Sequence, residues 1–211
     1  MDRPRTSPLR LAVLGDSIGY GTGADRVADT LGPRLVAALE AAGVPAEHRV
    51  FAVPGAVSAG LAAQVERAVA WRPQLVVVVI GANDLTHFVP PDRAAGALAA
   101  AVRALRSAGA QAVLAPAPDL GIVPHAPPYL REIVSAGSGV MRAAQVRAVR
   151  AEGGLVADAD GATSAAFAAD PRLFSADRFH PSSAGYAVIA GALAPVVEGA
   201  ARRIVPARDA C

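Results

Sequence analysis

The sequence predicts a three-layer α/β/α sandwich built around a five-stranded parallel sheet. Three observations lead there. Short runs that are apolar throughout recur along the chain, amphipathic helical patterns separate them, and the glycine and polar residues gather just after the runs. Runs without alternation suit strands covered on both faces. Strands alternating with helices call for right-handed crossovers, which leave helices on both sides of the sheet.

The first strand is expected over residues 10–15. Leu31, Leu35 and Leu39 then fall at i, i+4 and i+8, with Pro33 tolerable in a first turn and Gly43 a natural stop. The second strand is expected over 49–53, followed by a helix carrying Leu61, Val65 and Val69. The third, over 74–80, is the clearest, because its β-branched valines pack well on a pleated surface. Leu98, Val102 and Leu105 mark the next helix, ending at Gly109, and the fourth strand spans 111–116. Residues 117–139 are rich in Pro and Gly and have two readings, part of a substrate pocket or an ordinary surface connection. A helix around 140–152, a fifth strand over 155–158, and a last helix with Tyr186, Ile189, Leu193 and Val197 on one stripe complete the order. The whole of 1–211 reads as one domain with its core at about 10–198, and residues 1–8 and 201–211 as frayed termini.

Composition excludes several classes. All 20 basic residues are Arg, against 18 acidic ones, and they are scattered apart from Arg202-Arg203. A nucleic-acid binder would cluster its charge, often with aromatics between, and aromatics are only 4% here. The single cysteine, Cys211, allows no intrachain disulfide. The longest strongly apolar run, Leu75 to Ile80, is far short of a membrane span, and the stretch before Gly15 is too short for a signal-peptide core. The expectation is a soluble, cytoplasmic protein.

In an open α/β sheet, ligands sit beyond the carboxyl ends of the strands. Gly15-Asp16-Ser17-Ile18 follows the first strand, Pro54-Gly55-Ala56 the second, and Gly81-Ala82-Asn83-Asp84 the third. Asp177-Arg178-Phe179-His180-Pro181 precedes the last helix. Acyl transfer needs a nucleophile, a base, a group that orients the base, and donors for the oxyanion. Ser17, His180 and Asp177 fit the first three roles; the Ser17 and Gly55 N–H groups and the Asn83 amide fit the last. An imidazole, with its ordinary pKa of about 6.5, is suited to the base's work at neutral pH. Each residue has a plainer reading alone: Ser17 as a helix cap, Gly55 in a type II turn after Pro54, Asn83-Asp84 as turn chemistry, His180 as structural. Their coincidence in this order favours the catalytic reading.

Asp16 and Asp84 are expected to hold these loops by hydrogen bonds. Gly19, Gly21 and Gly23 fit no phosphate-loop spacing and read as a flexible loop beside the nucleophile. His48, His87 and His125 are too scattered for a metal site, and Trp71 reads as packed at a helix end.

With these blocks in place the sequence resembles the SGNH hydrolases, also called the GDSL esterase/lipase family. The four blocks are Gly15-Asp16-Ser17-Ile18, Gly55, Gly81-Ala82-Asn83-Asp84 and Asp177-Arg178-Phe179-His180, with the tail Pro181-Ser182-Ser183-Ala184-Gly185-Tyr186 also typical. The resemblance covers roughly 10–198 and implies a flavodoxin-like sheet, no cofactor, no metal, and hydrolysis through an acyl-enzyme. Two departures are visible. Ile18 replaces the usual Leu, and Val50-Phe51-Ala52 stands where many relatives have an Asn before the second-block Gly.

The expected function is hydrolysis of small or medium acyl esters. The alternatives are acyl transfer to a sugar or metabolite hydroxyl by the same serine and, from another class, a non-catalytic binding module that has kept its loops. The expected partner is a small-molecule ester, with no nucleic acid, no membrane span and no oligomeric state assigned.

Overall fold

A computed structural model describes residues 7–158 and 161–205. In chain order the elements are β1 (Leu9–Gly15), α1 (Ser17–Tyr20), α2 (Leu31–Ala41), β2 (Ala46–Val50), α3 (Leu61–Ala70) and β3 (Leu75–Val79). There follow α4 (Ala82–Thr86), α5 (Pro91–Ser107), β4 (Gln111–Ala115), α6 (Arg131–Ala151), β5 (Leu155–Val156), α7 (Ala162–Ala169) and α8 (Ser183–Ile204). The strands pair in parallel in the order β2-β1-β3-β4-β5, which is the flavodoxin-like order. The order in which strands are added to the sheet reverses between β1 and β3, so the crevice at their carboxyl ends is where a ligand is expected.

Because successive strand residues point to opposite faces, each strand feeds two cores. Leu75, Val77 and Val79 of β3 pack with α2 and α8 through Leu31, Leu35, Leu39, Tyr186, Leu193 and Val197. Val76, Val78 and Ile80 pack on the other face with Leu61, Val65, Leu98, Val102 and Leu105 of α3 and α5. This gives the three layers.

Several boundaries differ from expectation. The second strand lies at 46–50, not 49–53, and pairs Leu9↔Ala46 through Val13↔Val50. It is an edge strand, half-buried or exposed along its length, so its Glu47, His48 and Arg49 do not read as apolar. The fifth strand is shorter than expected, ending at Val156. The helix expected near 140 begins at Arg131, and Gly137 and Gly139 lie inside it with open space where a side chain would be. Ile204 ends the last helix, with Ala200 and Ala201 fully buried, so residues 201–204 are not frayed. Cys211 and the terminal stretches 1–6 and 206–211 lie outside the described residues. By length and composition α8, with a mean hydropathy of 1.4, could cross a membrane, a feature missed by judging strand-length runs. In this fold one stripe of it seals the core against the sheet and α2.

Candidate active site

The site begins where β1 ends. Gly15 has φ +130°, and a Cβ there would stand 1.7 Å from the Val79 carbonyl oxygen of β3, so only glycine fits. Gln64, fully buried on α3, donates to the Gly15 carbonyl at 2.8 Å and accepts the Gly15 N–H at 2.7 Å. That clamp fixes the last strand residue. Asp16 then caps α1 by accepting from Ile18 N at 3.0 Å, and Ser17 opens the helix. Of the glycines expected in a flexible loop, Gly19 lies in this short helix, Gly21 closes it in the left-handed region, and Gly23 sits in the turn that follows.

The second half of the site is the tight loop before α8. An antiparallel bridge joins Phe174 to Pro181, and Ser175 N donates to His180 O at 2.8 Å. Arg178 takes φ +59°, folding the chain so that three donors face one carboxylate oxygen. Asp177 Oδ1 accepts from Ser175 Oγ at 2.7 Å and from the Phe179 and His180 N–H groups at 2.9 Å each. Its other oxygen, Oδ2, stands 2.6 Å from His180 Nδ1. On the far side of the ring His180 Nε2 is 3.0 Å from Ser17 Oγ. Partial burial pushes the Asp177 carboxyl up, but the His180 ring and N–H, Ser175 and Phe179 together hold it well below the usual carboxylate range. Asp177 is therefore held as a carboxylate at neutral pH.

Gly55 and Asn83 come from neighbouring loops. Val53 to Ala56 form a turn with Gly55 at φ +80°, closed by Ala56 N donating to Val53 O at 3.0 Å. The turn reading was correct for this glycine. Asn83, in the first turn of α4, donates from Nδ2 to Ala56 O at 3.1 Å, tying this loop to the third. Asp84 is fully buried and accepts from Ser58 N at 3.0 Å and Ser58 Oγ at 2.9 Å. Asp84 thus ties the loop after β2 to α4, and Asp16 caps α1. The loop that lacks the Asn of many relatives is supported instead by Asp84, Asn83 and the buried Ala52, which packs beside Gly19. Asp16 is 1% exposed, and burial raises its carboxyl to about 6; the Ile18 N–H and His180 oppose this rise, whereas Asp84 adds to it.

A cavity opens beside Ser17 and His180. Its walls are largely apolar: Leu120, Ile122 and Val123 from the segment after β4, Phe167 from α7, and Phe174 and Phe179 from the His180 loop. Of the stretch 117–139, Pro118, Asp119, Leu120, Ile122 and Val123 line the cavity, residues 124–130 are the connection that follows, and residues 131–139 belong to α6. Gly55 and Asn83 are not among its lining residues.

Gln64 and Gln145 were not singled out from sequence. Gln145 of α6 accepts from Ala117 N at 2.8 Å and donates to Ile80 O at 2.9 Å, clamping the ends of β3 and β4 as Gln64 clamps β1. The signal was present: each is a glutamine on the apolar stripe of its helix. His87 and His125 are exposed and His48 packs against Gly32, apart from the site. Trp71 ends α3 against Phe51 and Arg49. Among the described residues no three His, Cys, Asp or Glu side chains group closely enough to hold a metal ion.

The family model described as GDSL-like Lipase/Acylhydrolase matches residues 13–188, which include every block above. The chain belongs to this family. It is 35% identical over 189 residues to the GDSL-like esterase Rv1075c of Mycobacterium tuberculosis, matching 88% of this chain. It spans 60% of the length of that relative. Among solved structures it is similar to TesA, with a TM-score of 0.76 and 20% identity over 90% of this chain and 99% of that one. It is also similar to Axe2, an acetylxylan esterase from Geobacillus stearothermophilus, with a TM-score of 0.70 and 21% identity over 92% and 96% of the two chains. These likenesses show the SGNH hydrolase fold.

Proposed function

We propose that this GDSL-family protein is a serine carboxylic-ester hydrolase working through an acyl-enzyme on small or medium acyl esters. The observation that carries the reading is the unbroken relay from Asp177 Oδ2 through the His180 ring to Ser17 Oγ, at 2.6 and 3.0 Å. Membership of the family and the likeness to the mycobacterial esterase support it.

In this reading Ser17 Oγ attacks the ester carbonyl carbon as its proton passes to His180 Nε2. Asp177 holds Nδ1–H, which fixes the ring tautomer and stabilises the imidazolium that forms. The oxyanion is received by the Ser17 and Gly55 N–H groups and the Asn83 amide. His180 returns its proton to the leaving alcohol, and the acyl group stays on Ser17. Water then attacks, His180 takes its proton, and the carboxylic acid leaves with Ser17 restored. The apolar walls of the cavity suit an acyl chain better than a sugar ring.

Hydrolysis of p-nitrophenyl acetate and butyrate tests this. Ser17→Ala is expected to lower kcat by about 10³-fold or more, with the fold checked by circular dichroism. Unchanged hydrolysis in that variant would remove the proposal.

A further inference from the structure

The cavity beside Ser17 does not end the open space in this region. A second cavity adjoins it, over Val79 and Ala115 at the carboxyl ends of β3 and β4 and against Ala192 and Leu193 of α8. Ile18, Pro118, Thr163, Ser164 and Ile189 line both, so these residues are the boundary between the two. Two of them occupy telling positions. Ile18 is the residue after the nucleophile, and Ile189 faces it from α8; both are half-buried, as side chains bordering open space must be.

From the proposed esterase activity, on which this inference rests, we propose that the second cavity is the distal half of an acyl site. Ile18 and Ile189 are its threshold, and the favoured acyl group is a straight chain of medium length. The geometry behind this is simple. The step from Ile189 to Leu193 is one helical turn, about 6 Å, room for roughly four or five further methylenes. An acetyl or butyryl group on Ser17 is accommodated by the first cavity alone, whereas an octanoyl chain passes the threshold and covers Val79, Ala115, Ala192 and Leu193. Each methylene moved from water to that surface gains affinity, because apolar burial scales with area. The lining of the second cavity also carries the Arg142–Asp158 pair, 3.6 Å apart. The Arg142 guanidinium is further held by the Ala117 carbonyl at 3.2 Å, so the pair closes the cavity as a fixed polar end. A longer chain would have to bury methylenes against that pair, which sets the upper limit on length.

The test is the ratio of kcat/KM for p-nitrophenyl octanoate to that for the acetate. Of the two cavities Ala192 lines only the second, and Ala192→Phe fills it. The wild-type ratio is expected to exceed unity, and Ala192→Phe is expected to lower it about tenfold or more. Ile189→Trp, at the threshold, should lower it in the same sense, so that a misfolded Ala192→Phe does not leave the matter open. Ala187→Phe, on the exposed side of α8, serves as the control and should leave the ratio at its wild-type value. A ratio unmoved by both cavity substitutions, in proteins with wild-type melting behaviour, overturns the second chamber while leaving the esterase reading intact. Absence of hydrolysis of every ester by the wild type would instead overturn the esterase reading.

Discussion

Asp177 and His180 are only three residues apart, yet their side chains meet at 2.6 Å because Arg178, between them, takes a left-handed backbone conformation. One oxygen of Asp177 is consumed by Ser175 Oγ and two backbone N–H groups, leaving the other free to face Nδ1. The carboxylate is thus fixed in position before the imidazole engages it. The ring in turn has one tautomer that both accepts from Ser17 and donates to Asp177.

That arrangement predicts the behaviour of Asp177→Asn. An amide can still accept from the backbone donors, but it no longer favours a protonated imidazole and can present N–H to Nδ1, placing the ring proton on Nε2. Esterase kcat is expected to fall by about 10²–10³-fold with little change in KM. The estimate is set below a fully buried case because the Asp177 side chain is 47% exposed. Steady-state kinetics on p-nitrophenyl butyrate checks it, and a loss below about threefold would argue against an orienting role.

Gln64 is predicted to matter for stability as well as rate. Gln64→Leu keeps the volume but leaves the buried Gly15 N–H and carbonyl without their partner. A cost of about 2–6 kcal/mol is expected, since each of the two orphaned buried groups costs about 1–3 kcal/mol. Urea unfolding followed by circular dichroism measures it. A change within about 0.5 kcal/mol would mean that water replaces the amide.

Gly15→Ala should be far worse. The new Cβ meets backbone atoms of Val79 rather than a yielding side chain, and the φ of +130° is itself unfavourable for alanine. Loss of more than about 4 kcal/mol, or failure to recover soluble protein, is expected. Expression with a wild-type melting temperature would contradict the close approach of β1 and β3 at this point.

The pH dependence of stability carries the mark of Asp16. Its carboxyl is raised from 3.8 to about 6 in the folded state, chiefly by burial. Between those values the folded protein holds a proton that the unfolded chain has released, so stability falls as pH rises through the window. Over about two units the loss amounts to at most about 3 kcal/mol. Asp16→Asn can keep the cap on Ile18 and removes the titration. The stability difference, wild type minus variant, is therefore expected to decline from about pH 4 to about pH 6 and then level off. Asp177, lowered in the folded state, acts in the opposite sense as pH falls, but it does so in both proteins and cancels. A pH-independent difference would contradict the burial of a charged Asp16.

How much of this was legible in the sequence follows from which residues make their contacts locally. β3 was readable because all five of its residues are buried and β-branched or leucine. The Ser17 and His180 blocks were readable because strand ends and short turns determine them, and Asp177 because it lies in the same turn as His180. β2 was misplaced because an edge strand carries polar residues on its open side. The start of α6 was hidden by Gly137 and Gly139, which are poor helix formers placed where the helix packs against nothing. The pocket walls come from segments 118–123, 163–167 and 174–189, and no local pattern reports that three such segments converge.

The central claim is that Ser17 carries the acyl group. Mass mapping after reaction with a fluorophosphonate tests it most directly, since the reagent forms a stable adduct on an activated serine. The account predicts one adduct per chain, on the peptide containing Ser17, with esterase activity lost in proportion and no labelling of Ser17→Ala. Labelling of Ser17→Ala at the wild-type rate, or full activity with Ser17 modified, would contradict it.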